Sequence, residues 1–196
     1  MSHSSQSIAA ALSALDGWPL LQGPRVRLRG PRDADVEAFF ELFGDPRVMR
    51  YWSRPPLTER AEAEQLLTRC HDEFAARTAL EWIIADENDR AIGSCKLFRL
   101  NPTHRRAELG YALHPDHWGR GVAREANTLA LDWAFGTLGL HRVDAGIDPD
   151  NTASRALLHR LGFVTEGRQR ESFFVEDRVT DSELLGLLGS DWRRDR

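Results

Sequence analysis

The sequence predicts a three-layer domain of the α/β (α+β) class, with helices on both faces of a mixed central sheet of about seven strands. Two observations predict it. Strand-like and helix-like stretches follow one another in the order β-αα-βββ-α-β-α-ββ, and strands interleaved with helices pack as layers on a sheet. The 196 residues, with 41% hydrophobic and 29% charged side chains, suffice for one sizeable core.

Residues 1–24 read as an N-terminal extension: polar over residues 1–7, where disorder is expected, then apolar enough for a short helix over residues 8–15. Residues 25–29, Arg-Val-Arg-Leu-Arg, alternate polar and apolar as a half-buried first strand does. Asp33 is placed to cap a helix whose apolar stripe is Val36, Phe39, Phe40 and Phe43, and Gly44 ends it. A short helical piece over residues 45–52 is broken by Ser53-Arg54-Pro55-Pro56. A longer helix runs from Thr58 to about Arg77, with Ala61, Gln65, Leu66 and Phe74 turned inward.

Three strands follow, at residues 80–86, 91–100 and 106–113, the first two joined by a turn over residues 87–90. Pro115, which has no N–H to donate, closes the third. A helix over residues 120–138 carries Ala126, Leu129, Ala130, Trp133 and Ala134 inside. Residues 141–147 make a further strand, and a helix follows with Asn151 at its start and Gly162 at its end. Residues 168–176 and 178–188 form a closing hairpin. Residues 189–196 are a charged tail, so the domain itself spans residues 25–188.

Composition excludes several classes. The formal net charge of -4 is no footprint for nucleic acid, and no run is long enough to span a membrane. The first Lys or Arg is Arg25, so the N-terminus lacks the charged start of a secretory signal. Cys70 and Cys95 are far apart, without metal-ligand spacing, and read as free thiols in a reducing cytoplasm. No His is placed near Cys95 in sequence, which argues against a covalent nucleophile there.

The chemistry concentrates in Glu108 to Ala123, a strand, a tight connection and a helix start flanked by Gly119 and Gly121. Such a start presents unpaired N–H groups and the positive end of the helix dipole, which suits an anion, most often a phosphate. No Lys-Ser or Lys-Thr follows a spaced glycine pair, so the P-loop pattern is absent, and the dinucleotide fingerprint lacks its third glycine. What remains, Trp118-Gly119-Arg120-Gly121-Val122-Ala123, resembles the pyrophosphate loop of the GNAT acyltransferase superfamily, Arg/Gln-x-x-Gly-x-Gly/Ala. Trp118 departs from the usual Arg or Gln. That departure is shared with the branch resembling ribosomal-protein N-terminal acetyltransferases, the RimJ/RimL-like group. A second landmark, Asn151-x-x-Ser154 followed by Leu161-Gly162-Phe163, stands in register one helix and one strand later.

The resemblance implies a cytoplasmic N-acetyltransferase with the GNAT fold, in which the sheet splays between the fourth and fifth of the seven strands. It implies acetyl-CoA as cosubstrate, no metal, direct transfer to a primary amine, and leaves a homodimer open. In the RimJ/RimL-like reading the acceptor is a protein or peptide N-terminal amine. The alternatives are a small-molecule amine, such as an antibiotic or polyamine, and a non-catalytic acyl-CoA-binding module. The backbone of Leu113 and His114 would hold the pantetheine arm. The N–H groups of Gly119, Arg120, Gly121, Val122 and Ala123 would take the pyrophosphate, with Arg120 and Arg124 adding charge, although both also read as exposed helix arginines. Trp118 would contact the cosubstrate through its backbone or by stacking.

Glu108 is the candidate base. It lies among Ala107, Leu109 and Tyr111, where a carboxylate is partly desolvated and suited to take up a proton. The competing reading is an ion pair with Arg105, Arg106 or Arg142, and His114 and His117 are rival bases. Many relatives in the superfamily use a tyrosine on the helix after the fifth strand to protonate the leaving thiolate. Neither Tyr51 nor Tyr111 is on that helix. Ser154 matches the donor position of the RimL-like branch, and Asn151 would orient pantetheine; both also fit ordinary helix-start roles. Tyr51 and Trp52 read either as core or as part of the acceptor pocket.

Overall fold

In a computed structural model that describes residues 8–194, eight strands form a single sheet in the order β1-β2-β3-β4-β5-β6-β8-β7. They are β1 (Leu21–Gln22), β2 (Arg27–Arg29), β3 (Leu80–Ala85), β4 (Ala91–Asn101), β5 (Arg106–Leu113), β6 (Arg142–Ile147), β7 (Val164–Val175) and β8 (Arg178–Leu188). The helices are α1 (Ile8–Ser13), α2 (Val36–Gly44), α3 (Pro46–Met49), α4 (Arg60–Ala75), α5 (Val122–Asp132), α6 (Thr152–Arg160) and α7 (Gly189–Arg194). Every strand pair is antiparallel except β5 with β6.

The sheet separates two cores, and the period-two alternation of β3 shows how. Trp82 and Ile84 face one core with α1, α5 and α6, whereas Ile83 and Ala85 face the other with α2, α3 and α4. Of the residues that the sequence places inside on α5 and the turn after it, Ala126, Ala130, Trp133 and Ala134 are buried and Leu129 is partly buried. Its last turn widens into a π-helical turn, Trp133–Thr137, where the N–H of Leu138 donates to Trp133 O at 2.9 Å.

Several expectations shift. α4 begins at Arg60, because the Glu62 carboxylate accepts from the N–H groups of Thr58 (2.7 Å) and Glu59 (2.9 Å) just ahead of it. Its buried stripe is therefore Ala63, Leu67 and Cys70, at i, i+4 and i+7, while Ala61 and Gln65 are exposed. Asp33 opens a 3-10 turn, Asp33–Asp35, ahead of α2, and β7 starts at Val164 rather than Arg168.

The residues before Arg25 supply an eighth strand and part of the core. Ile8 and Leu12 are buried, Trp18 stacks on Phe74 at 3.9 Å, and Pro19 O accepts from Trp82 Nε1 at 2.9 Å. The polar stretch over residues 1–7 lies outside the described residues. At the other end Trp192 of α7 is buried near Phe135.

One discontinuity positions the site. β5 and β6 pair only from Arg106↔Arg142 to Glu108↔Asp144, and beyond Glu108 the two strands part.

Candidate active site at the strand gap

The backbone of β5 is committed on one side and open on the other. His114 N–H donates to Ile92 O at 2.8 Å, and the register to β4 is continuous from Leu113↔Gly93 back to Glu108↔Phe98. The alternation of an antiparallel ladder then turns the backbone groups of Tyr111 and Leu113 away from β4, toward the gap. The N–H of His114, also expected to face the gap, closes the ladder with β4 instead. The carbonyl of Leu113 accepts from Trp118 Nε1 at 2.7 Å. Trp118 thereby ties the end of β5 to the glycine loop while its ring stays exposed.

The loop itself is held from behind. Gly119 and Gly121 adopt φ of 72° and 76°, the left-handed region that L side chains resist. Arg25 reaches across from just ahead of β2. Its Nη1 donates to Arg120 O (2.5 Å) and its Nε to Glu125 Oε2 (2.7 Å), while Glu125 Oε1 accepts from Arg25 N–H (2.8 Å). A Cβ on Gly121 would stand 3.3 Å from Arg25 Nη2, so the glycine serves this clamp as well as any ligand. The first helical bond, Glu125 N–H to Gly121 O at 3.1 Å, leaves the N–H groups of Val122, Ala123 and Arg124 without intrahelical acceptors. Arg120 and Arg124 are exposed beside them. This start of an 11-residue helix fits a pyrophosphate group.

Beside the gap a cavity of about 490 Å³ joins most of the remaining candidates, Tyr51, Trp52, Glu108, Asn151 and Ser154, and Tyr111 lines it with them. Asn151 caps α6, its Oδ1 accepting from Ser154 N–H at 3.1 Å. Ser154 Oγ lies 2.6 Å from Tyr111 Oη. Burial pushes the Tyr111 phenol up to about 12, so it stays protonated at neutral pH; the bond to Ser154 opposes that shift only in part.

Tyr111 is therefore the residue that the sequence reading missed. No tyrosine is on α6, but one arrives beside it from β5. The available signal was the alternation itself: Tyr111 shares the face of Ala107 and Leu109, which is the face α6 covers.

Glu108 stands on the opposite face and is paired, but with none of the three expected arginines. Its Oε1 accepts from Arg99 Nη1 at 2.8 Å. Arg106 and Arg142 go to Asp144, Arg142 also to Glu166, and Arg105 donates to Gly139 O. The reason is an irregularity in the β4–β5 ladder between Phe98 and Asn101, where Arg99 takes φ of 51° and turns back to Glu108. The Arg99 side chain is 72% exposed, the Glu108 side chain 22%.

The other candidates are placed as follows. Tyr51 is half-buried under Arg50, and Trp52 meets Phe43 edge-on at 5.4 Å, so Trp52 belongs to both core and cavity wall. His114 and His117 do not line the cavity. Cys95 is buried against Asn127, and burial drives its thiol far above the usual range, which leaves no nucleophile. Among the described residues no cluster of three or more His, Cys, Asp or Glu could hold a metal, and no helix is long and apolar enough to cross a membrane.

A sheet opened between two parallel strands, with a glycine-flanked helix start at its mouth and the Tyr111–Ser154 pair inside, suits an acyl-CoA-dependent transferase. The chain belongs to the family described as the acetyltransferase (GNAT) domain, which matches residues 25–164. It is 33% identical over 165 residues to the uncharacterized N-acetyltransferase p20 of Bacillus licheniformis, covering 84% of this chain and 93% of that one. It is 30% identical over 167 residues to the spermidine N(1)-acetyltransferase of Vibrio cholerae, covering 85% and 94%. The fold is similar to the crystal structure of the Vibrio cholerae spermidine N-acetyltransferase in complex with CoA and spermine, with a TM-score of 0.78 and 27% identity, covering 87% and 99% of the two chains. The protein is thus an acyltransferase enzyme of the GNAT type, with acetyl-CoA as cosubstrate.

Proposed function

We propose that the protein acetylates the primary amine of a small molecule by direct transfer within the cavity at the strand gap. The observation that carries this reading is that one cavity holds Glu108 from one face of the sheet and the Tyr111–Ser154 pair from the other. The Trp118-to-Gly121 sequence supports a RimJ/RimL-like enzyme and a peptide N-terminal amine. The relatives named as spermidine acetyltransferases favour a small amine over that reading.

Acetyl-CoA supplies the activated acyl group. The chain's own residues do the rest. The backbone of Tyr111 and Leu113 holds the pantetheine arm as an added strand would be held, and the N–H groups of Val122, Ala123 and Arg124 hold the pyrophosphate. Asn151 keeps its side-chain NH₂ for the same arm, its oxygen being engaged by Ser154. Glu108 takes the proton that the ammonium loses, once the exposed Arg99 swings aside. The nitrogen–carbon bond forms as the carbon–sulfur bond breaks, and the second proton that the nitrogen sheds on becoming an amide balances the one the departing thiolate takes up. Tyr111 and Ser154 then present a hydrogen bond where the thiolate charge develops. Burial keeps the Tyr111 phenol protonated, so it has a proton to donate in that hydrogen bond.

Competition between acceptor classes tests the reading. Acetyl-CoA thiol release is measured over a panel of small amines and of peptides with free N-termini. Higher kcat/KM for small amines supports the proposal; faster release with peptides would return the enzyme to the N-terminal reading.

A further inference from the structure

The charges lining the cavity are unevenly satisfied. Each of its carboxylates already has a cation: Glu81 pairs with Lys96 (3.1 Å), Glu108 with Arg99 (2.8 Å), Asp181 with Arg168 (2.6 Å) and Asp148 with Arg178 (3.6 Å). Two of its cations have none. Among the described residues no carboxylate lies within 4.0 Å of the guanidinium of Arg54 or of Arg69.

Arg54 is also held in place. Its guanidinium lies over the ring of Phe43 at 5.1 Å and that of Trp52 at 5.8 Å, and these rings limit the positions it can take. Burial first, and then the nearby charge of Arg69, pull its pKa below the usual arginine value. Glu62 and Glu81 act on it only at longer range, and both are engaged elsewhere, by backbone N–H groups and by Lys96. A half-buried guanidinium with an arginine neighbour and no counter-ion is costly unless an anion completes it.

We infer that Arg54 and Arg69 form an anion subsite, and that the acceptor amine carries a carboxylate or phosphate group which docks there. The inference rests on the small-amine reading above. It also separates this enzyme from polyamine acceptors. A second ammonium in this cavity would have to displace Arg168 from Asp181, Arg178 from Asp148 or Lys96 from Glu81, because Glu108, once released by Arg99, serves the reacting amine.

A matched series of acceptors tests it. ω-Amino acids of increasing chain length are compared with their ω-amino amides and ω-amino phosphonates, and with spermidine, by thiol release. At the best chain length the acid or the phosphonate should exceed the amide by about 10- to 100-fold in kcat/KM, the scale of a hydrogen-bonded charge pair. Whichever of the two leads identifies the anion. Arg69→Gln, at an exposed position, and Arg54→Gln should each reduce that ratio while leaving turnover of the amide within a few-fold of wild type. Acetyl-CoA affinity by calorimetry shows that each variant is folded; a variant that fails that control is replaced by Arg54→Lys, which retains charge but loses the planar fork and should retain part of the preference. Equal rates for acid, phosphonate and amide, or a preference for spermidine, would overturn the subsite. If no amine of any charge is acetylated, it is the small-amine reading itself that fails.

Discussion

Tyr111 and Ser154 are 43 positions apart in sequence and 2.6 Å apart in space, and the site turns on that contact. Tyr111→Phe removes the donor and leaves the ring packed. It should lower kcat by about 10- to 100-fold with the KM for acetyl-CoA nearly unchanged, because the lost hydrogen bond is strongest when charge develops on sulfur. Ser154→Ala should produce a similar loss, and the double variant should lose little more than either, since the two act as a unit. Additive losses in steady-state kinetics would show that they act separately. Across the sheet, Glu108→Gln keeps shape and removes basicity. Its kcat/KM loss should be larger for a lysine-like amine, pKa about 10.4, than for an α-amine, pKa about 8, because at neutral pH far less of the former is free base. Equal losses would assign the proton to water and Glu108 to its bond with Arg99.

At the scale of elements, two helix starts are fastened by ion pairs. The Arg25–Glu125 clamp pins the start of α5, and Arg155–Glu183 pins α6 to β8 at 2.6 Å. Gly121→Glu places a side chain at φ of 76° and a negative charge where the pyrophosphate should sit. It should abolish acetyl-CoA binding by calorimetry while costing about 1 to 2 kcal/mol of stability. Binding at wild-type affinity would remove the loop from the site. Glu183 gives a pH prediction. Hydrogen bonds from Arg155 chiefly, and then Thr165, hold its carboxyl below the usual glutamate value, against an opposing effect of burial. A carboxyl depressed in the folded state contributes stability above the ordinary value of about 4.3, and that contribution is lost as pH falls through the folded value. Glu183→Gln should therefore cost about 2 kcal/mol at pH 7 and progressively less toward pH 3 in urea titrations. A cost that is constant over that range would show that the pair does not couple α6 to β8.

For the whole molecule, what the sequence revealed and what it concealed divide by range of interaction. The order of strands and helices, the glycine loop and the Asn151 cap were legible because period, positive φ and capping are local properties. The partner of Glu108 was not, because it depends on a ladder irregularity that no periodicity announces. Nor was the packing of Ile8, Leu12 and Trp18, since a short apolar segment reads alike whether it docks or not. Tyr111 was named as a residue but not as a neighbour, because strand-to-helix proximity across the gap is set only when β5 and β6 part.

All of these features serve one claim, that the gap between β5 and β6 is where an acetyl group passes from sulfur to nitrogen. The measurement that tests it most directly follows free thiol and acetylated amine together, by thiol titration and mass spectrometry, in the presence of acetyl-CoA and the best small amine. Amine-dependent turnover should yield one thiol per acetylated amine in wild type and drop by about 10- to 100-fold in Tyr111→Phe. Acetyl-CoA that binds without amine-dependent thiol release, or turnover unaffected by Tyr111→Phe, would contradict it.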